Sequence, residues 1–333
     1  MVGAIWAIGE IGPDGSPAQV NGEIASLVRE LAARSGRQAV GIVATPAPEV
    51  AADLAKYLTR VVMVKDPIQE RTDRTLPAAL RIAALVERER PAYLAVGVTP
   101  DGRDTAGILA ALLGWGVLGN AVDVRWQDGR PLQDGRPLVE TSVFGGAFIT
   151  TNSFVANYGI ITVRPNAIEA VPAFSIGAVE IVSVLDREDM PLVELVREDV
   201  QQDGLRAAAI ESSPIIIGGG RGMGGPDGFR LAHELAEILG GAVGATRPAV
   251  DEGWISYPHQ IGQTGKTVRP QLYIALGISG AIQHRVGVQT AGTIVAIDRD
   301  SEAPIGHWAD LFVVGDLFEI VPELIAQLRY RRA

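Results

Sequence analysis

The residues best suited to chemistry form a glycine-rich run, IIIGGGRGMGG, at positions 215–225. The run contains Gly220, Gly222 and Gly225 in the spacing G-x-G-x-x-G, between a predicted strand and a predicted helix. Glycines at this spacing let a backbone approach a pyrophosphate. The next strand ends in Ala245-Thr246-Arg247 rather than in an acid that would hold an adenosine ribose, although an arginine suits a 2′-phosphate. The run therefore predicts either a nucleotide site or a glycine-rich turn.

Two further turns that could hold a ligand follow in the sequence. Gly262–Thr267 resembles the end of a P-loop, but Gln260 stands where the Walker pattern requires glycine, so ATP hydrolysis is not predicted. The apolar run Leu272–Leu276 predicts a strand that leads into a short helix with Ser279 as its N-cap. The N–H groups of such a helix start suit an anion. Three turns of this kind between residues 220 and 284 predict one large, extended ligand.

The composition excludes several classes of function. The 333 residues include 29 Lys and Arg against 39 Asp and Glu, and the resulting charge of −10 opposes binding to nucleic acid. The chain has no cysteine, which excludes disulfides, thiolate metal sites and cysteine nucleophiles. His233, His259 and His307 lack metal-ligand spacing, and no G-x-S-x-G segment supports a serine hydrolase. The sequence therefore predicts neither a metal site nor a hydrolase.

The first part of the chain has the pattern of an α/β domain. Short apolar runs alternate with helical patterns from Ala4 to Val98, which is the rhythm of a mainly parallel sheet. Residues 139–149 and 160–163 then look like strands with no helix between them. We therefore predict an N-terminal domain, residues 1–205, with a mainly parallel sheet and an added β-hairpin.

A second α/β pattern begins after the charged stretch Asp186–Gly204. A strand at Pro214–Ile217 leads into the glycine-rich run, and strands and helices alternate from there to the C-terminus. This pattern predicts a C-terminal domain, residues 206–333, with a Rossmann-like, doubly wound sheet.

The chain shows no sign of membrane targeting. Met1–Gly9 is apolar but carries no basic leader, so no signal peptide is predicted. No segment approaches the roughly 18 uninterrupted apolar residues that a membrane span needs. The sequence predicts a soluble, cytoplasmic protein without membrane insertion.

Several longer motifs are similar to those of one known protein family. The runs VRPQLYIALGISGAIQH (Val268–His284), TIVAIDRDSEAPI (Thr293–Ile305) and ADLFVVGDLFEIVPEL (Ala309–Leu324) resemble the electron-transfer flavoprotein alpha subunit. ATRPAVDEGW (Ala245–Trp254) and the G-x-T-x-x-G-R-D turn of Gly97–Asp104 resemble the same family. The resemblance covers most of the chain and is most specific in its C-terminal part.

This resemblance implies a function and partners. Members of the family pair with a beta subunit and bind FAD mainly in the C-terminal alpha domain, so the N-terminal domain would be the platform for the beta subunit. They carry electrons from flavin dehydrogenases, such as the acyl-CoA dehydrogenases of fatty acid β-oxidation, to a quinone reductase. A second FAD or an AMP is expected in the beta subunit. The resemblance thus implies an electron carrier rather than an enzyme on its own, with oxidoreductase activity only as part of a bifurcating complex.

The resemblance also implies which residues contact FAD. They lie on the loops that follow the strands of the C-terminal domain: Arg221, Thr246, Arg247, Ile261, Gly262, Gln263, Thr264, Ser279, Gly280, Ala281, Ile282, Gln283, His284, Asp298, Asp316 and Leu317.

Three of these residues are expected to tune the flavin. Reduced flavin carries negative charge, which nearby positive groups stabilise. By resemblance, Arg247 lies over the ring near N5, Thr264 donates a hydrogen bond to N5, and His284 lies near O2. Judged without the family, His284 is a helix residue satisfied by protein partners and Arg247 is a surface arginine.

One position departs from the family, and more than one function stays open. Asp298 stands where the family pattern has asparagine, so its role is open. Thr246-Arg247-Pro248 and Glu252-Gly253-Trp254 resemble the subgroup associated with nitrogen fixation and with NADH-linked electron bifurcation. The sequence is also compatible with an NADP-dependent oxidoreductase built on Gly220, Gly222, Gly225 and Arg247, and with a nucleotide-binding scaffold without catalytic activity.

Overall fold

The structure is a computed structural model that describes residues 3–12, 15–44, 47–64, 75–128, 135–143, 148–184, 210 and 213–332. The chain divides into two compact units, Met1–Glu198 and Asp199–Ala333. The charged stretch Asp186–Gly204 and the predicted boundary between residues 205 and 206 lie outside the described residues.

The first unit is an α/β fold built on a nine-stranded sheet. Its described elements are β1 (Ile5–Ile8), α1 (Val20–Ser35), β2 (Ala39–Val43), α2 (Pro48–Leu54), β3 (Arg60–Val64), α3 (Thr75–Glu89), β4 (Tyr93–Gly97), α4 (Pro100–Leu113), β5 (Val117–Gln127), β6 (Arg136–Val143), β7 (Phe148–Asn152), β8 (Gly159–Val163) and β9 (Ala178–Val182).

The strand order in this sheet is β7-β6-β5-β8-β4-β1-β2-β3-β9. Neighbouring strands are parallel along the part of this order that runs from β5 to the β9 edge. At the other edge, β5, β6 and β7 form an antiparallel meander. Every residue of β1, β4 and β8 is buried, because helices cover both faces of the centre of the sheet. The predicted mainly parallel sheet with an added hairpin is confirmed.

The details of the meander differ from the prediction. The pattern predicts one strand over residues 139–149, but β6 ends at Val143 and β7 begins at Phe148. The pattern also fails to predict α4 and β5. Gly119 and Asn120 interrupt β5, where Asn120 has a φ of 58° and the register with β8 shifts, so the strand lacks a regular alternation.

The second unit contains a parallel, five-stranded sheet. Its described elements are β10 (Ile215–Gly219), α5 (Phe229–Leu239), β11 (Ala242–Ala245), α6 (Arg247–Asp251), β12 (Leu272–Leu276), α7 (Ile282–Val288), β13 (Thr293–Asp298), β14 (Leu311–Val314) and α8 (Leu317–Arg332). The strand order β11-β10-β12-β13-β14 places the second strand at one edge and the first strand beside the third, which is the doubly wound arrangement. This confirms the predicted fold class.

No described helix combines the length and the apolar character required to cross a membrane. Within the described ranges, no three His, Asp or Glu side chains come together in a way that could hold a metal ion.

A buried carboxylate joins β1, β4 and α4 in the first unit. Glu10, which is only 7% exposed, accepts hydrogen bonds from the backbone N–H of Gly97 at 3.1 Å and from the hydroxyl of Thr99. Thr99 is also the N-cap of α4, and its hydroxyl oxygen accepts from the Gly102 N–H at 2.8 Å. Burial raises the pKa of Glu10 from 4.5 to about 7, and the nearby Asp101 contributes in the same direction.

This pKa predicts a pH-dependent stability that a Glu10→Gln substitution removes. A raised pKa means that the folded chain binds more protons at Glu10 than the unfolded chain, so the contribution of Glu10 to stability is full below about pH 4.5 and is lost as pH rises to about 7. The loss is on the order of 3 kcal/mol for a shift of this size. Urea unfolding of the full chain across this range measures it. Parallel pH profiles of the wild type and Glu10→Gln would contradict the prediction.

Candidate cofactor site at the carboxyl edge of the second sheet

The strand order of the second unit creates a crevice at one edge of its sheet. β10 lies between β11 and β12, so the chain leaves β10 toward one side and leaves β12 toward the other. Ligands of doubly wound sheets bind outside the carboxyl ends of the strands at such a switch point. Every predicted site residue lies in a segment that follows or ends a strand at this edge, or in the turn beyond α6.

Glycines bring the segments after β10 and β12 into backbone contact. The N–H of Gly220 donates to the carbonyl of Leu276 and the N–H of Gly222 to that of Gly277, each at 2.9 Å. A Cβ atom on Gly220 would lie 2.2 Å from the Gly277 carbonyl oxygen, and one on Gly222 would lie 2.6 Å from the Gly277 Cα. Gly277 has a φ of 61°, which favours glycine. This close approach therefore requires glycine in both loops.

The run Gly220–Gly225 does not form the compact strand-to-helix turn of a dinucleotide fingerprint. Residues Arg221–Met223 form a 3₁₀ turn, and α5 begins only at Phe229. An NADP site built on these glycines depends on a helix that begins within the motif, so this geometry counts against it. Arg221 is exposed at the start of the 3₁₀ turn.

The segment after β11 presents an arginine. Thr246 is buried, and its N–H donates to the carbonyl of Gly219 at 3.0 Å, which holds the ends of β10 and β11 together. Arg247 is the first residue of α6, and its side chain is 64% exposed. Its Nε lies 3.2 Å from a carboxylate oxygen of Asp251, one helical turn further on. An exposed pair of this kind is worth little energy, so the guanidinium can be redirected toward another anion.

A tight turn carries Ile261, Gly262, Gln263 and Thr264. The Ile261 N–H donates to the carbonyl of Ala245 at 2.9 Å, and the Gly265 N–H closes the turn onto the Gly262 carbonyl at 3.0 Å. The Gln263 N–H donates to the Gln283 carbonyl at 2.8 Å. Gly262 has a φ of 141°, and a Cβ atom there would lie 2.8 Å from the Gln283 carbonyl oxygen. The turn is therefore fixed between the end of β11 and the start of α7.

Within this turn, Gln260 orients the Thr264 side chain. The Gln260 side chain is 2% exposed, and its Nε2 donates to the Thr264 hydroxyl oxygen at 2.9 Å. Because the hydroxyl oxygen accepts this bond, its hydrogen is available for an acceptor outside the turn. The Tyr257 hydroxyl donates to the Thr264 carbonyl at 2.8 Å and supports the backbone. Thr264 itself is exposed.

The segment after β12 contains Ser279, Gly280, Ala281, Ile282, Gln283 and His284. The prediction of Ser279 as the N-cap is wrong, because α7 begins at Ile282 with Ala281 at the cap position. Gly280 adopts a φ of 83°, and its missing Cβ makes room for the backbone of Ile305, so the chain turns once more before the helix. Ser279, Ala281, Ile282 and Gln283 are exposed.

His284 is buried, and both nitrogens of its ring have protein partners. Nδ1 lies 3.1 Å from the carbonyl oxygen of Ile261, and Nε2 lies 2.9 Å from the Tyr273 hydroxyl. Burial lowers the pKa of His284 from 6.5 to about 4, although the bond to the Ile261 carbonyl acts in the opposite direction. The ring is therefore neutral at physiological pH, as for a helix residue satisfied within the protein.

The remaining predicted contacts end β13 or begin α8. Asp298 is half-buried, and its carboxylate accepts from the Asp300 N–H at 3.0 Å, which gives this departure from the family pattern a local turn-forming role. Asp316 accepts from the Phe318 N–H at 2.8 Å and caps α8. Leu317 is 5% exposed and packs in the core of the unit.

The structure thus gathers the predicted residues along one edge but in different environments. The exposed members are Arg221, Arg247, Gln263, Thr264, Ser279, Ala281, Ile282, Gln283 and Asp316, whereas Thr246, Ile261, Gly262, Gly280, His284 and Leu317 are buried. Sequence reasoning missed the roles of Gln260, Tyr273 and Asp251, which support Thr264, His284 and Arg247. Only Asp251 carried a signal, because a carboxylate four residues after an arginine can pair with it on a helix.

Comparison with known proteins gives consistent matches. Residues 5–187 match the electron transfer flavoprotein domain, and residues 209–289 match the electron transfer flavoprotein FAD-binding domain. The electron transfer flavoprotein subunit alpha of Mycobacterium leprae is 41% identical over 330 residues, which cover 96% of each chain. Protein FixB of Clostridium saccharobutylicum is 34% identical over 330 residues, which cover 98% of this chain and 96% of FixB.

The environment of His284 predicts that its ring does not protonate in the folded protein above about pH 5. Because the folded pKa is below the unfolded one, the neutral ring contributes stability above pH 6.5 that is lost as pH falls toward 4. NMR of the imidazole resonances during a pH titration measures the pKa, with the exposed His307 as the reference ring. A midpoint near 6.5 for His284 would show that the ring is accessible to water.

Proposed function

We propose that this chain, which belongs to the electron transfer flavoprotein alpha-subunit family, binds FAD at the carboxyl edge of its second sheet and carries electrons as one subunit of a heterodimer. The observation that carries the proposal is the glycine-lined contact between the segments after β10 and β12. It lies at the switch point of a unit whose sequence matches an FAD-binding domain.

The residues at this edge fit a dinucleotide-sized cofactor with a pyrophosphate. Gly220, Gly262 and Gly280 let neighbouring backbone segments pack directly against them, so this edge offers backbone groups to the phosphates and ribose of a ligand. The N–H groups of Ile282 and Gln283, the first two residues of α7, have no acceptor within the helix and are available to an anion, whereas the His284 N–H donates to the Ala281 carbonyl. When bound, FAD supplies the electron-accepting ring. The chain supplies contacts from Arg221, Thr246, residues 261–264, residues 279–284, Asp298, Asp316 and Leu317.

We assign to Arg247 the role of stabilising the negative charge of reduced flavin. It is an exposed cation at the edge of the site, and its weak pairing with Asp251 lets it turn toward reduced, negatively charged flavin. The Thr264 hydroxyl keeps its hydrogen for an acceptor, which fits donation to a ring nitrogen. His284 is neutral and bound on both nitrogens, so it supports the turn at Ile261 rather than adding charge.

The partners follow from the family. An alpha subunit requires a beta subunit, and we assign the first unit as the platform for it and the beta subunit as the holder of a second FAD or an AMP. Flavin dehydrogenases, such as acyl-CoA dehydrogenases, would deliver electrons, and a quinone reductase or similar acceptor would remove them. The cytoplasm is the compartment we propose.

A second candidate function is a subunit of an NADH-linked electron-bifurcating complex. The observation that favours it is the pair of segments Thr246-Arg247-Pro248 and Glu252-Gly253-Trp254, together with the similarity to FixB. In this case the beta subunit holds a second FAD that takes a hydride from NADH.

Flavin analysis of the chain coexpressed with its beta subunit tests both functions. One FAD per heterodimer, reduced by a flavin dehydrogenase but not by NADH, would support the carrier. Two FAD molecules with NADH-driven reduction would support bifurcation. A colourless heterodimer that binds NADPH tightly would contradict both and favour an NADP-dependent oxidoreductase.

An Arg247→Ala substitution tests the proposed cation. Loss of one charge-assisted interaction of about 1.5 kcal/mol with reduced flavin would lower the midpoint potential by roughly 65 mV for one electron. A reductive titration of the heterodimer measures this potential. Arg230→Ala is the matched control, because Arg230 is an exposed arginine of the same unit that lies on α5 and pairs with Asp227. Equal potentials in the two variants would remove Arg247 from this role.

A further inference from the structure

Tyr273 lies beside the candidate site and is fully buried, so its hydroxyl contacts no solvent. It lies in β12, is 0% exposed, and places its hydroxyl 2.9 Å from Nε2 of His284. The two rings lie 5.9 Å apart between centroids, inclined at 46°. A buried hydroxyl of this kind is retained in a core only with a partner, and here the partner is the His284 ring.

The contacts from Tyr273 through His284 to Ile261 are hydrogen bonds whose directions follow from which atoms can donate and which can only accept. The Ile261 carbonyl can only accept, so the hydrogen of the neutral His284 ring is on Nδ1, 3.1 Å away. Nε2 then has a lone pair and accepts from the Tyr273 hydroxyl. Burial raises the pKa of Tyr273 and lowers that of His284, so both groups stay neutral and this single arrangement persists.

The absence of a side chain at Gly218 leaves space for the Tyr273 hydroxyl. Gly218 lies on the neighbouring strand β10, and a Cβ atom there would come within 1.9 Å of the Tyr273 hydroxyl oxygen and 2.5 Å of the ring carbon that carries it. Any other residue at position 218 would displace the hydroxyl from His284. The glycine before the predicted ligand loop thus makes room for the tyrosine, not for a ligand.

His284 in turn holds the first residue of the turn that carries Thr264. The Ile261 carbonyl accepts from His284, while the Ile261 N–H donates to Ala245, next to Thr246 and Arg247. The peptide groups on both sides of Ile261 are therefore fixed, one by the last residue of β11 and one by α7. This connects the three segments that form the candidate site.

We propose that Tyr273 is a positioning residue: its hydroxyl fixes the His284 ring with the hydrogen on Nδ1, and His284 thereby sets the orientation of the Ile261–Thr264 turn against FAD. The part that concerns FAD rests on the proposed function.

A Tyr273→Phe substitution in the alpha–beta heterodimer tests this proposal, because it removes only the hydroxyl and keeps the ring packing. Tyr330→Phe is the matched control, since Tyr330 is 82% exposed on α8 of the same unit. FAD dissociation constants and hydrogen exchange of the Gly262, Gln263 and Thr264 amides are measured in both variants. Tyr273→Phe leaves Nε2 of His284 buried without its hydrogen-bond donor. We therefore expect roughly 5- to 100-fold weaker FAD binding and faster amide exchange in Tyr273→Phe, and no change in Tyr330→Phe.

The tautomer of His284 provides a readout that needs no variant. The chain has 4 histidines, so ¹⁵N-histidine labelling of this chain alone, assembled with an unlabelled beta subunit into the FAD-free heterodimer, gives a simple spectrum in which the protonated nitrogen of each ring is identified from its couplings. Protonation on Nδ1 in the wild type supports the proposal. Protonation on Nε2 would overturn it, as would Tyr273→Phe values equal to those of Tyr330→Phe. If the wild type binds no FAD, the proposed function fails, while the tautomer and the exchange rates still decide whether Tyr273 positions the turn.

Discussion

The close approach of two backbone segments at the carboxyl ends of β10 and β12 is the constraint on which the candidate site depends. Gly220 and Gly222 lie against Gly277, and side chains at these positions would push the two loops apart. The turn at Gly262 approaches the Gln283 carbonyl in the same way. The edge is consequently built of backbone, which suits a ligand with phosphates and hydroxyls because backbone N–H and carbonyl groups can face it directly.

At this edge, some residues hold the backbone in position and another residue supplies charge. The buried contacts from Tyr273 through His284 to Ile261 are neutral, and they fix geometry without bringing a charge into the core, where an unpaired charge would be costly. Arg247 is exposed and only weakly paired, so it can respond to the charge of a bound group. A carrier of electrons needs both properties, since its ligand changes charge while its surroundings stay in place.

The sequence predicted most of the strands, the glycine loops and the doubly wound class, because these follow from local periodicity and from glycines between strand and helix. It failed for α4, whose Gly102 and Gly107 lower helix propensity, although Thr99 and Pro100 are favourable start signals. Ser279 was wrong as a cap because Gly280 takes a left-handed conformation that delays the helix. The bonds of Tyr273 to His284 and of Gln260 to Thr264 depend on how β12, α7 and the turn pack, and no spacing in the sequence encodes them.

A crystal structure of the heterodimer purified with its flavin would locate the cofactor without any intermediate inference. We predict FAD along the carboxyl edge of the second sheet, in contact with Gly220–Arg221, the Ile261–Thr264 turn and the segment from Ser279 to Gln283, with the His284 ring still bound to Tyr273 and Ile261. A flavin bound elsewhere on this chain, or wholly within the beta subunit, would contradict this prediction.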